Sequence, residues 1–357
     1  MDSPDSDRAA LDRLLRGFIV SRLLRTAAEL HLADRVPAEG TTTVAALAEE
    51  AGVQPGQLRR VLRVLASAGV FALTAGDEVA HSAMSRLLRS DAPNSLHHAA
   101  RFWTARGSWR AWEEAEAALT GGVPHEAAWG MGRFAWLRAH PEEARIFDAM
   151  MANFPDNRHA AVAASYDFAA VRVICDVGGG NGAALRHILA RFEGPRGILL
   201  DLPDVLAAIP ADQLLDGRIE PRPGSFLDAV PAGADLYLVV RVLHDWGDED
   251  CRRILRNIHA AAEAGSRLLV VEQLLDPDPS RSASTSCLVD AQMMVMFGEA
   301  RERSAEEFAG LLSEAGFALR RVLPTGSPVS ILEAEAVLAQ SSTIGSGATK
   351  SPSVQPR

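Results

Sequence analysis

The chain has 357 residues, room for two domains at roughly 100–200 residues each, and its 48% hydrophobic and 23% charged residues are those of a folding globular polypeptide. A formal charge of −10 repels polyanions and argues against nucleic acid or anionic membranes as partners. Cys175, Cys251 and Cys287 are scattered with no CxxC spacing, so neither a zinc ribbon nor a disulfide framework is expected, and the reading is a reducing cytoplasm.

The first residues, MDSPDSDRAALDRL, lack the basic and apolar regions of a signal peptide, and no apolar run approaches ~20 residues, so a membrane span is not expected. Residues 10 to about 166 read as helices broken at Gly and Pro positions. Within them, TTTVAALAEEAGVQPGQLRRVLRVLASAGVFAL predicts a helix capped by Thr43, a turn at Gly52, a second helix after Pro55 and a short strand. Two extended pieces around Ala75-Gly76-Asp77 would add the wing of a winged helix. Such a shape raises DNA binding, and Arg59, Arg60 and Arg63 lie on its second helix. Glu49 and Glu50 on the neighbouring helix, and the acidity of the whole chain, weigh against it. The alternative is a packing module whose apolar face is Leu58, Val61, Leu62 and Leu65. The preceding LLRGFIVSRLLRTAAELHLADRV has apolar positions for more than one face, which suits a dimer interface.

From Arg172 onward the texture changes. Short apolar runs (VRVICDV, RGILLDL, ADLYLVVRVL, SRLLVVEQLL) alternate with helical stretches such as EDCRRILRNIHAAAEA, the pattern of an α/β fold with a parallel sheet. Residues 339–357, rich in Ser, Thr, Gly and Pro, are expected to be a disordered tail.

The sharpest feature is VRVICDVGGGNGAALRHILARF, a strand ending in Asp176, a glycine loop, and a helix beginning near Asn181. Gly178 and Gly180 allow a tight turn and close approach of a ligand, and the helix start presents free N–H groups. Asp201, at the end of the next strand, is placed to accept hydrogen bonds from a ribose. Gly178, Gly180 and Ala183 also satisfy the dinucleotide pattern GxGxx[G/A], which leaves the cofactor open on the loop alone. Asp176 beside it suits a cationic ligand such as S-adenosylmethionine better than a pyrophosphate.

His244 follows a buried strand just before a helix, at a strand carboxyl end where open α/β sheets build their sites, and is the leading candidate for a general base. Asp245, Asp248, Glu249 and Asp250 beside it read as the cap of the next helix. No metal cluster is expected.

In order along the chain, YDFAAVRVICDVGGGNG, LLDLPDV, RVLHDWGDEDCRRIL, VVEQLL and RERSAEEFAGLLSEAGF resemble the motifs of S-adenosylmethionine-dependent O-methyltransferases of the caffeate and isoflavone type and their bacterial polyketide and natural-product relatives. The resemblance covers about residues 10–338. It implies a Rossmann-like seven-strand methyltransferase sheet over residues 166–338 and a winged-helix-like dimerisation domain over 10–100. Connecting helices at 101–165 would contribute to the substrate pocket. It further implies that Gly178 and Gly180 lie against the methionine part of the cofactor, that Asp201 holds its ribose, and that His244 is the base, oriented by Glu272 and Glu302. Read alone, Glu302 would be a surface residue capping the helix that starts near Ser304. Asp176, Ser225, Phe226 and Arg241 complete the expected cofactor set. Met150, Met151 and Asn153, with Asp290, Gln292, Met293, Met296 and Phe297, form the expected wall for a flat apolar acceptor. A homodimer acting on a small aromatic hydroxyl compound is the implied assembly and activity.

Three departures from the family pattern stand out. Ser225 and Phe226 stand where an acidic residue and an apolar one commonly meet the adenine, so the carboxylate acceptor is missing there. Gly298-Glu299-Ala300 carries one residue more than the usual Gly-Gly, which bears on where Glu302 falls. The lysine often found four before the histidine is absent, Arg241 being the nearest cation. Competing readings are a cofactor-retaining hydroxylase or decarboxylase, an N-methyltransferase, and a ligand-sensing DNA regulator.

Overall fold

The computed structural model describes residues 4–152, 157–278, 280–281 and 284–337. In the N-terminal part, Thr43 caps the Val44–Ala51 helix by accepting the Ala46 N–H at 3.1 Å, and Gly52 ends it in the left-handed conformation at φ +67°. Pro55 opens the next helix, Pro55–Ser67, whose Leu58, Leu62 and Leu65 are buried at helical spacing. Strands β1 (Thr42–Thr43), β2 (Phe71–Leu73) and β3 (Glu78–His81) form a small antiparallel sheet in the order β1-β3-β2. This is the winged helix expected from the sequence. Its Arg59 is paired with Asp77 of the wing.

Short helices between His97 and Ala152 lead to the second domain. Seven strands follow: β4 (Val173–Val177), β5 (Arg196–Asp201), β6 (Ile219–Pro223), β7 (Leu236–Val240), β8 (Arg267–Gln273), β9 (Phe317–Pro324) and β10 (Val329–Ala336), ordered β6-β5-β4-β7-β8-β10-β9. The sheet is mixed rather than wholly parallel, because β10 runs antiparallel to both β8 and β9. A connection as short as the one between β9 and β10 can join only antiparallel neighbours.

Both faces of the sheet are covered, which is why its strands read as unbroken apolar runs. Val173, Cys175 and Val177 of β4 pack with Cys251, Ile254, Leu255 and Ile258 of the Asp248–Ala261 helix and with Phe308 and Leu312 of the Ala305–Glu314 helix. Ile174 packs on the other face with Leu185 and Ile188 of the Ala183–Arg191 helix. Alternation then sends Asp176 to that second face, under the glycine loop. No helix among the described residues is long and apolar enough to cross a membrane.

Candidate active site

The loop after β4 is built on backbone that only glycine adopts freely: Gly178, Gly180 and Gly182 have φ of +71°, +57° and +77°. The helix begins at Ala183, with Gly182 as its N-cap, two residues later than the sequence suggests. A Cβ on Gly178 would lie 3.0 Å from the Phe226 ring and 3.1 Å from Val242, whereas around Gly180 the space is open. The Gly180 N–H donates to Asp201 Oδ2 at 2.8 Å, and the Leu202 N–H to Asp201 Oδ1 at 2.7 Å. Those bonds fix the carboxylate at the end of β5 beside the loop.

Asp176 is fully buried, and neither of its carboxylate oxygens has a partner among the described residues. Burial, and then the charge of Asp201, push it up to about 7. An unpaired buried carboxylate under a glycine loop is the complement of a cationic ligand, and the ammonium and sulfonium of S-adenosylmethionine fit that demand. Phe226 stands edge-on to Trp246, ring centroids 5.8 Å apart, beside the same loop. The Ser225 hydroxyl accepts the Leu227 N–H at 3.2 Å, so it shapes its own turn.

The second cluster lies past the end of β7. His244 is buried, with Nδ1 3.0 Å from Glu302 Oε1 and Nε2 3.4 Å from Asp245 Oδ1. Glu272, at the end of β8, takes a different place from the one expected: its Oε1 accepts the N–H groups of Val242, Leu243 and His244 at 3.1, 3.0 and 3.4 Å. It therefore holds the backbone of the histidine turn, and Glu302 alone of the two glutamates reaches the ring. Glu302 is no surface cap. The capping box of the Ala305–Glu314 helix is Ser304 with Glu307, leaving Glu302 2% exposed and facing inward. Its N–H donates to Asp290 Oδ1 at 2.9 Å.

Arg241, grouped above with the cofactor, faces these glutamates. Nη1 lies 2.9 Å from Glu272 Oε2 and 2.8 Å from Glu302 Oε2, and Nη2 lies 2.6 Å from Glu302 Oε1. His244, Glu272 and Glu302 offer ligand atoms within 4.8 Å of one another, a spacing that would suit a metal, but the positive charge among them is this guanidinium. Burial opposes ionisation of Glu302, yet the hydrogen bonds and charge of Arg241, then of His244, bring it down to about 2. For His244, burial and Arg241 favour the neutral ring while Asp245, Glu272 and Glu302 favour the imidazolium, and the balance lies above the ordinary 6.5.

Residues 109–318 match the family model of the O-methyltransferase domain, and residues 12–91 that of the O-methyltransferase dimerisation domain. The chain belongs to this O-methyltransferase family. It is an S-adenosylmethionine-dependent methyltransferase. It is 38% identical to a mitomycin biosynthesis 6-O-methyltransferase of Streptomyces lavendulae, over 90% of this chain and 92% of the relative. The solved structure of the mitomycin 7-O-methyltransferase MmcR superposes with a TM-score of 0.84 at 37% identity, covering 93% of this chain and 98% of the other. NcsB1, an O-methyltransferase from neocarzinostatin biosynthesis solved with S-adenosylmethionine and 2-hydroxy-5-methyl naphthoic acid, matches with a TM-score of 0.75 at 31% identity, over 88% and 95%. An N,N-dimethyltransferase acting on 8-amino-8-demethylriboflavin (30%) and the aclacinomycin 10-hydroxylase RdmB (33%) also match.

In the methyltransferase the expected acceptor wall divides. Met150 is 1% exposed and packs with Phe102 and Ile146 in the helical core, Met151 is exposed, and Asn153 lies outside the described residues. On the Ser284–Phe297 helix, Gln292 accepts the Trp112 indole N–H at 2.9 Å, and Phe297 lies 5.2 Å from the half-exposed Phe134 ring. Met293 and Met296 are buried on the same helix. Sequence reasoning missed Trp112 and Phe134, which have no motif to mark them. It also missed Arg303, wholly buried next to Glu302. Its guanidinium donates to the carbonyls of Leu243 at 3.1 Å and Trp246 at 2.9 Å, and Nη2 lies 2.8 Å from Asp248 Oδ1. Asp248, Glu249 and Asp250 do occupy the first turn of the next helix, but its N-cap is Gly247, and Asp245 turns back to the histidine.

Proposed function

We propose that this methyltransferase places a methyl group on a phenolic hydroxyl of a flat aromatic or polyketide-type natural product, with His244 as general base, and works as a homodimer in the cytoplasm. The observation that carries the reading is the buried imidazole held at Nδ1 by Glu302 at the carboxyl end of the sheet. A phenol, with a pKa near ~10, is a poor nucleophile at neutral pH until its proton is taken. With Nδ1–H donated to Glu302, the Nε2 lone pair is free to accept that proton. The imidazolium so formed lies between the carboxylates of Glu302 and Asp245, which favours it. S-adenosylmethionine supplies an already activated methyl group, so the protein's remaining task is to hold the acceptor. Asp176, Gly178, Gly180 and Asp201 are the residues suited to hold the cofactor, and Phe134, Phe297 and Trp112 offer an apolar, aromatic wall to a flat acceptor. The free cysteines, two of them buried, fit a reducing compartment.

The test is a panel of hydroxylated naphthoates, phenazines and quinones assayed for methylation with wild type and His244→Ala. His244→Ala is expected to lose at least ~100-fold in turnover, the usual worth of a general base, with cofactor affinity by calorimetry unchanged. An amine acceptor, or turnover indifferent to the substitution, would remove the general-base reading.

A further inference from the structure

We propose that Arg241 is a positioning residue for the base, holding down the proton affinity of His244, and not a cofactor contact; the inference rests on the reading of His244 as the base. β7 ends at Val240, and Arg241 adopts a left-handed conformation at φ +54°, uncommon for a residue with a side chain and expensive to hold. Its N–H still donates to Val271 O at 3.0 Å, so the backbone stays tied to β8. The side chain is 8% exposed and reaches both buried glutamates, forking across the two oxygens of Glu302 and bridging to Glu272. A charge so placed, on backbone so unfavourable, points to a function at that spot.

The function follows from which groups face the imidazole. From its own turn come Arg241 and Asp245, from β8 Glu272, from the segment before the Ala305–Glu314 helix Glu302, and behind Glu302, from the Ser284–Phe297 helix, Asp290. Three of these carboxylates draw a proton onto the ring, and Arg241 is the cation that opposes them. Its Nη2 stands 2.9 Å from His244 Nδ1 while sharing Glu302 Oε1 with it. When the ring carries its second proton, that contact sets two positive groups against each other. Without Arg241, two buried glutamates would have no cation but the histidine, and the base would be filled before a phenol arrived. The pair of glutamates is thus made compatible with a basic imidazole.

The test needs no acceptor, so it stands apart from the activity test of His244 as the base. The full-length protein, labelled with nitrogen-15 at its ten histidines, is titrated by NMR from pH 5 to 9.5, with His244→Asn assigning the ring signals. S-adenosylmethionine affinity is measured by calorimetry on the same samples. Arg241→Met is expected to raise the His244 midpoint by a unit or more, a tenfold change in acidity, while the cofactor dissociation constant stays within threefold. An unmoved midpoint overturns the proposal, and an unmoved midpoint with tenfold weaker cofactor binding returns Arg241 to the cofactor. Should Arg241→Met alone fail to fold, the comparison is made between Glu272→Gln and the double variant R241M/E272Q, which removes the buried cation together with one of its counter-charges. The double variant must again titrate at least one unit above the single one; equal midpoints overturn the proposal.

Discussion

Asp176 is the residue whose environment is most at odds with its charge. Buried, without a hydrogen-bond donor among the described residues, and close to Asp201, it is pushed up to about 7, and Asp201 itself is raised by burial. A cation in the loop reverses that bias, so binding of S-adenosylmethionine below pH 7 must expel a proton from Asp176, whereas above pH 7 the carboxylate is already formed. Affinity is therefore expected to tighten as pH rises from 6 to 8 and then level off. Calorimetry in buffers of different ionisation enthalpy reads the proton release directly. Asp176→Asn should bind more weakly with little pH dependence, and a wild-type affinity flat across this range would rule out the account. Asp176 was legible in the sequence because an acidic residue two positions before the first glycine of the loop is unusual chemistry for a pyrophosphate site. Arg241 was not, since a residue one step past a strand end turns its side chain according to a left-handed φ that no pattern of neighbours reveals.

The RERS segment between the Ser284–Phe297 and Ala305–Glu314 helices grips the histidine turn from two sides. Glu302 holds the ring, and Arg303 holds the carbonyls of Leu243 and Trp246 on either side of it, with Asp248 as its counter-charge at the start of the next helix. Arg303→Lys keeps the charge but loses the fork that spans both carbonyls. It is expected to lower stability by ~1–3 kcal/mol, the cost of leaving buried acceptors unpaired. A small displacement of His244 should cost roughly ten- to a hundredfold in turnover, with cofactor affinity unchanged. Thermal denaturation and steady-state assays together check this, and a variant with wild-type turnover would show that the turn keeps its place without the clamp. At this scale much was legible. The capped helix pair and its wing, and the strands of the sheet, are written in caps, turns and apolar runs. The spacing in Gly298-Glu299-Ala300 left the fate of Glu302 open; Gly298 turns in the left-handed conformation (φ +76°), and Glu302 reaches the ring. The antiparallel entry of β10 was hidden because a strand buried on both faces looks alike in either direction.

For the whole molecule, the question is what covers its first helices. Leu11, Leu14, Leu15 and Phe18 are 58%, 77%, 69% and 57% exposed, while Leu32, Leu47, Leu62 and Leu65 form a winged-helix core of their own. An apolar surface of that kind at one end of an acidic protein is expensive to leave in water and is suited to a like surface on a second copy. The match of residues 12–91 to a dimerisation domain puts that surface where a partner would be expected. Each leucine or phenylalanine buried in such a contact contributes on the order of 1.5–3 kcal/mol, so a charge in the middle of it should divide the assembly. Light scattering on the wild type is expected to give twice the 38.2 kDa chain mass, and Leu14→Asp with Phe18→Glu the mass of one chain. Because neither residue touches the glycine loop or the His244 turn, the separated chain should keep its affinity for S-adenosylmethionine. If the wild type itself runs as a single chain at micromolar concentration, the exposed leucines need another explanation and the dimer is wrong. If it is a dimer and the double variant remains one, the interface lies elsewhere in the N-terminal domain.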